Sequence, residues 1–161
     1  YRRQRQMCIR DSYKMLAWVG YQGAVQYPGV VIPTQSDADK YPQYASFHKT
    51  TYNADRIMGE MSNAASDGRN AGLAVHCGEF GCSKNVAEAM RLAWFTDMVA
   101  AMEANNIPWT LWECLDGGFG FVDMEYGIYR INCPLLKVLT GKELTDAEAK
   151  VLLQKYGFKT E

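Results

Sequence analysis

Two residues stand out for the chemistry they can carry. Glu79 lies in Gly78-Glu79-Phe80-Gly81, a carboxylate between glycines that permit close approach of a ligand or a neighbouring chain. Such a group can act as a base, a metal ligand or a nucleophile; a solvated loop carboxylate is the plainer alternative. Trp112 closes the apolar run Ile107-Pro108-Trp109-Thr110-Leu111-Trp112 and is followed by Glu113, Cys114 and Asp116. An aromatic face at a rim stacks on the C–H face of a sugar ring, although a strand tryptophan more often fills a core.

Other combinations carry less. His76, Cys77, Cys82 and Cys114 are zinc-ligand types, but no second paired motif accompanies them, and they read as core thiols rather than a metal site. The cysteines show no disulfide framework. Gly117-Gly118-Phe119-Gly120 is a tight loop without the Lys-Ser/Thr of a phosphate loop or a dinucleotide fingerprint, so no cofactor is expected. His48 reads as a solvated loop histidine.

The candidates need elements to hold them. Residues 72–77 form a short, nearly apolar run bounded by glycine, which predicts a strand buried on both faces, with Glu79 at its C-terminal end. Ser83 is placed to cap a helix over residues 86–104, with the stripe Val86, Met90, Ala93, Trp94, Asp97/Met98, Ala101 and Met102. Asn105-Asn106 stops that helix, and residues 107–112 make the next strand, with Pro108 at its entry. Parallel pairing then puts Trp112 beside Glu79 on one rim. Strand alternation sends Trp112 and Glu113 to opposite sides.

Upstream, Ile57, Met58, Met61, Ala64 and Ala65 make one helical stripe over residues 52–65, ended by Asp67-Gly68. Downstream, residues 134–139 predict a short helix closed by Gly141. Thr145-Asp146-Ala147-Glu148 is a capping box that opens a last amphipathic helix, stopped by Gly157. Residues 13–50 read as an extended loop with at most a short strand at Val30-Val31-Ile32. The aromatics Tyr13, Trp18, Tyr21, Tyr27, Tyr41 and Tyr44 argue against disorder there. Helix and strand alternate, which predicts an α/β fold with parallel βα units.

Composition bounds the function. With 48% hydrophobic and 22% charged residues the chain is globular, and no apolar run reaches the roughly 20 residues of a membrane span. A net charge of −1 gives no global pull toward nucleic acid or an anionic membrane. A complete (β/α)8 barrel needs about 200–250 residues, more than the 161 present.

Residues 1–12 stand apart. Four arginines fall within Tyr1-Arg2-Arg3-Gln4-Arg5-Gln6-Met7-Cys8-Ile9-Arg10, without helical or strand periodicity. A basic arm for nucleic acid is one reading. The string Arg-Arg-Gln-Arg-Gln-Met-Cys-Ile-Arg-Asp-Ser also resembles a translated sequencing-adapter tract of the kind found at ends of metagenomic reading frames, and we treat it as non-native. Without it the net charge becomes −4, because four Arg and one Asp leave with it.

A resemblance then joins the motifs. Leu73-Ala74-Val75-His76-Cys77-Gly78-Glu79-Phe80-Gly81, the helix with Trp94, the run 107–112 and Gly118-Phe119-Gly120 together resemble the C-terminal third of glycoside hydrolase family 5. That is the cellulase-type family of retaining (β/α)8 hydrolases, whose seventh strand ends in Gly-Glu-Phe-Gly and whose eighth carries a substrate-stacking Trp. The stretch from Tyr21 to Gly29 is similar to a loop after strand six in some members. The likeness runs over about residues 18–141.

The resemblance implies that residues 13–161 are the C-terminal portion of a (β/α)8 TIM barrel, about strands 7–8 with flanking helices. It implies Glu79 as catalytic nucleophile, Trp112 as sugar platform and Phe119 as a further substrate-binding residue. The substrate would be a β-linked polysaccharide or oligosaccharide, cleaved by an endoglucanase or related β-glycanase. No cofactor or metal is implied, and localisation would be extracellular or periplasmic. The family's acid lies in an Asn-Glu-Pro motif, and no Asn-Glu occurs in this sequence; the His-x-Tyr after strand six is missing too. A chain with half of a catalytic pair is expected to have no turnover alone. A non-catalytic carbohydrate-binding barrel and an unrelated α/β fragment are the alternatives.

Overall fold

A computed structural model describes residues 23–115 and 118–161. The 1–12 tract, Tyr13, Trp18, Tyr21, Asp116 and Gly117 lie outside the described residues.

The order is β1 (Gly29–Val30), α1 (Gln35–Lys40), a 3-10 helix (Pro42–Lys49), β2 (Thr51–Tyr52), α2 (Ala54–Asn70), β3 (Cys77–Phe80), α3 (Glu88–Ala104), β4 (Trp109–Leu111), β5 (Val122–Glu125), β6 (Ile128–Ile131), α4 (Cys133–Thr140) and α5 (Asp146–Lys155). The strands form three separate two-stranded sheets, β1–β2, β3–β4 and β5–β6. Of these three sheets β3–β4 is the parallel one, joined by α3, so the expected βαβ unit is present once among the described residues. No closed barrel forms among the described residues.

Local chemistry explains the helices. The Asn53 side chain accepts from the Arg56 N–H at 3.0 Å and caps α2, which buries Ile57, Met61, Ala64 and Ala65. Gly68 does not end this helix as its type predicts. It lies inside α2, where a Cβ would overlap the Val75 side chain, so the glycine is spent on letting the chain fold back across the helix. The stop falls at Ala71 and at Gly72, with φ +64°. Thr145 and Glu148 make the expected capping box at α5. Asn132 caps α4, and Gly141 closes it in the left-handed conformation.

The first strand of the parallel pair is displaced from its expected place. Residues 73–76 are irregular, with Leu73 53% exposed, and β3 runs instead over Cys77–Phe80. Its ladder exists only where β4 runs alongside: Cys77 pairs with Trp109, Phe80 with Leu111, and the Cys77 N–H reaches the Pro108 carbonyl at 2.9 Å. No second strand flanks β3 among the described residues, and of its two faces the one that carries Phe80 is covered while the one that carries Glu79 is exposed. Phe80 fills that covered face, with its ring 5.0 Å from Trp109, 5.7 Å from Phe95 and 6.2 Å from Trp94. With Met98, Met102, Ile57, Val31 and Ile32 these rings make one core, and α3 packs on both α2 and α4.

Candidate functional site

Burial of Phe80 decides where Glu79 goes. Adjacent strand residues face opposite ways, so the ring that anchors in the core leaves the carboxylate of Glu79 on the exposed face. Beside it, the Trp112 N–H donates to the Phe80 carbonyl at 2.8 Å, which continues the parallel ladder one step beyond β4. Trp112 is 44% exposed. Glu79 and Trp112 therefore come together at the C-terminal end of the two parallel strands, as their spacing predicts. The Cys77 thiol lies 3.5 Å from the Glu79 carbonyl oxygen.

Glycine makes this rim narrow. At Gly81 a Cβ would overlap the Trp112 carbonyl oxygen, and at Gly120 one would overlap the Cys114 carbonyl. The loops after β3 and β4 thus touch backbone to backbone, which a side chain at either position forbids. Phe119, the third expected site residue, is also brought here but is only 4% exposed, with its Cβ on the Gly81 side. The peptide bond between Trp112 and Glu113 is cis, and Glu113 is half-buried with Oε1 accepting no hydrogen bond among the described residues.

Two residues that the motifs did not single out bind the loops together. Arg91, 4% exposed on α3, donates from Nε to the Cys82 carbonyl at 3.0 Å and from Nη2 to the carbonyls of Phe119 and Gly120. One guanidinium thereby holds the loop after Glu79 and the loop after Trp112 from beneath, a task that suits its rigid fork of donors. Burial lowers its pKa from the usual arginine value, with Cys82, Asp123 and Glu88 opposing. Lys84 adds a second tie: its N–H meets the Gly118 carbonyl at 2.7 Å, and its Nζ bonds the Val122 carbonyl and Asp123. Arg91 had a signal: a charged residue three positions before Trp94, on the apolar stripe of α3.

Cysteine and histidine take structural places. Desolvation pushes the buried Cys82 thiol up to about 12, against the pull of nearby Arg91. Cys114 is exposed, and Cys77 and Cys133 are half-buried; all four are free thiols. His48 is not the partnerless loop histidine its sequence context implies: its Nδ1 lies 2.8 Å from the Ile32 carbonyl and ties the 3-10 helix to the segment after β1. Ser83 does not cap α3, which starts five residues later at Glu88; its hydroxyl accepts from the Asn85 N–H at 3.2 Å and caps a preceding turn.

Comparison with known proteins gives the rim a context. The model of a family described as Cellulase (glycosyl hydrolase family 5) matches residues 26–118. No curated protein matches. Among solved structures, the chain is similar to the cellulose synthase subunit Z (CcsZ) from Clostridioides difficile, with 17% identity and a TM-score of 0.53 over 87% of this chain and 38% of that one. A structure titled endoglucanase matches with 19% identity and a TM-score of 0.50 over 55% of this chain and 28% of its own. Cel5A of Thermotoga maritima in complex with cellobiose matches with 23% identity and a TM-score of 0.48, over 53% of this chain and 27% of its own. This chain thus spans between about a quarter and two fifths of the length of these three solved structures.

Proposed function

This chain belongs to the cellulase family, glycosyl hydrolase family 5, and from that membership we propose that it forms the C-terminal part, about strands 7–8, of a retaining hydrolase of β-linked polysaccharide. Glu79 is the nucleophile in this reading and Trp112 the platform for the sugar it attacks. Phe119 supports that platform from its position beside Gly81. A polymeric substrate places the parent enzyme outside the cytoplasm, in the medium or the periplasm.

The observation that carries the reading is the pairing of an exposed carboxylate with an exposed indole at the C-terminal end of two parallel strands. In barrel enzymes that end carries the chemistry. The exposed carboxylate is open to an incoming sugar, and the indole offers a flat apolar face for its ring. Retaining hydrolysis requires two carboxyl groups about 5–5.5 Å apart: one attacks the anomeric carbon as the other protonates the leaving oxygen. The covalent glycosyl–enzyme ester is then opened by water, activated by the same second group. That group must start protonated, whereas the nucleophile must be ionised.

The absence of Asn-Glu from the sequence supports a parent protein whose acid/base carboxyl comes from outside these 161 residues. The chain alone is then inactive. The decisive experiment is trapping with a 2-fluoro β-glycoside in the parent enzyme, followed by peptide mass mapping. The label is expected on Glu79 and absent after Glu79→Gln. A label on another carboxylate, or sugar release from β-glucan by the purified 161-residue chain that disappears on Glu79→Gln, would overturn the assignment or the dependence on an external acid respectively.

A further inference from the structure

The β5–β6 hairpin displays a tyrosine that its own folding does not call for. Its two-residue turn, Tyr126-Gly127, has positive φ at both positions, 50° and 77°. That is the pattern of a type I′ turn, whose first position favours Asn, Asp or Gly. Tyrosine there bears the cost of a left-handed backbone. At 94% exposure its ring recovers nothing by packing within the chain.

The hairpin face beneath that ring is built for polar recognition. Register pairs Asp123 with Arg130 and Glu125 with Ile128, which puts these four side chains on one face. With Tyr126 and Glu161 they line a cleft of about 310 Å³, at the lower end of small-ligand sites. The other face is partly occupied: Val122 is buried and the Tyr129 ring packs on Phe158 at 4.9 Å, while Met124 is exposed. The cleft lining carries three carboxylates, Asp123, Glu125 and Glu161, and one guanidinium, Arg130; Arg130 pairs with Glu161, and Asp123 pairs with Lys84 from outside the cleft. The excess of carboxylates repels an anionic ligand, and the Lys84 and Arg130 ion pairs offset part of that charge, so a neutral polyhydroxy ligand suits the lining. Planar carboxylate and guanidinium groups bind neighbouring hydroxyls in pairs, and a phenol ring stacks on apolar C–H faces while its hydroxyl stays wet.

The cleft is tied to the loop that leaves β3. Lys84, in the loop that follows Glu79, bonds Asp123 at 2.9 Å. We infer that the Tyr126 face of the β5–β6 hairpin is a second binding site for a neutral oligosaccharide, placed to hold a sugar chain away from the Glu79–Trp112 rim. For its ligand class it rests on the glycan-hydrolysing function proposed above.

The test is isothermal titration of the full chain with cellotetraose, for the wild type, Tyr126→Asn, Tyr126→Phe and Trp112→Ala. Tyr126→Asn restores a favoured turn pair, so it raises the melting temperature while weakening binding about tenfold. Tyr126→Phe keeps the ring and binds within about threefold of the wild type. Equal binding by Tyr126→Asn and wild type overturns the inference, as does a wild type that binds nothing. Loss only in Trp112→Ala overturns the hairpin site but leaves the rim reading standing. Loss only in Tyr126→Asn supports the hairpin site and counts against Trp112 as a platform.

Discussion

Arg91 Nη2 donates to the Phe119 carbonyl at 2.8 Å while Nε of the same side chain holds the Cys82 carbonyl. The helix between two parallel strands thus carries the clamp for the loops that leave both. Arg91→Met strands three buried carbonyls, and each buried acceptor left unpaired costs roughly 1–3 kcal/mol. We expect a loss of about 3 kcal/mol in urea denaturation, partly recovered by Arg91→Lys, whose single ammonium cannot span both loops. An unchanged urea midpoint for Arg91→Met would contradict the clamp.

Glu79→Gln is expected to leave stability within about 0.5 kcal/mol of the wild type, because the residue is exposed and glutamine keeps the side chain's shape. Thermal melts check this directly. A large destabilisation would mean that the carboxylate serves the fold, and its role as an attacking group would lose its structural support.

Gly81→Ala forces a methyl into the Trp112 carbonyl, whereas Gly78→Ala meets nothing within 4 Å. The first is expected to cost roughly 1–3 kcal/mol and to shift tryptophan emission; the second does neither beyond a few tenths. Equal behaviour of the two variants would refute the close approach of the rim loops.

Alkali gives a test of Cys82. Its thiol is pushed from 9.0 up to about 12 in the fold, chiefly by desolvation. Below the unfolded value both states keep the proton and the contribution is fully present. As pH rises from about 9 toward 12 the unfolded chain ionises first, so stability falls through that window. Cys82→Ala is expected to show a shallower fall in denaturation free energy between about pH 8 and about pH 10.5. Parallel curves for the two proteins would show that the thiol is not desolvated.

Legibility followed the source of order in each segment. The α3 stripe and the Thr145–Glu148 capping box are local codes; α5 stands where its box predicts, and α3 does so from Glu88 onward, without the Ser83 cap. Glu79 and Trp112 share one rim because the two runs they end pair in parallel, although the first run enters its strand only at Cys77. Gly68 misled because a glycine inside a helix and a glycine after one look alike until Val75 is seen crossing it. The β5–β6 hairpin was invisible for a related reason: Tyr126-Gly127 lacks the Asn-Gly signature of its turn. The helices within residues 35–49 have no comparable signal in the sequence. Thr34 caps α1 through the Asp37 N–H, but six residues leave too short a stripe to read. Arg91 depends on three carbonyls supplied by distant loops, and no spacing rule encodes that.

The three sheets share no ladder, and this has a consequence for how the molecule opens. Without a shared ladder, α3 links much of the centre: it packs on α2 and α4, its Trp94 and Phe95 rings meet Phe80 of β3, and its Asp97 accepts from the buried Tyr27 hydroxyl. Amide exchange should therefore be graded rather than uniform, slowest along α3 and progressively faster in the N-terminal β1–β2 segment and the C-terminal hairpin. A helix rather than a sheet is the keystone of cooperativity here, and each outer segment is a separate unit that can fray while the centre holds.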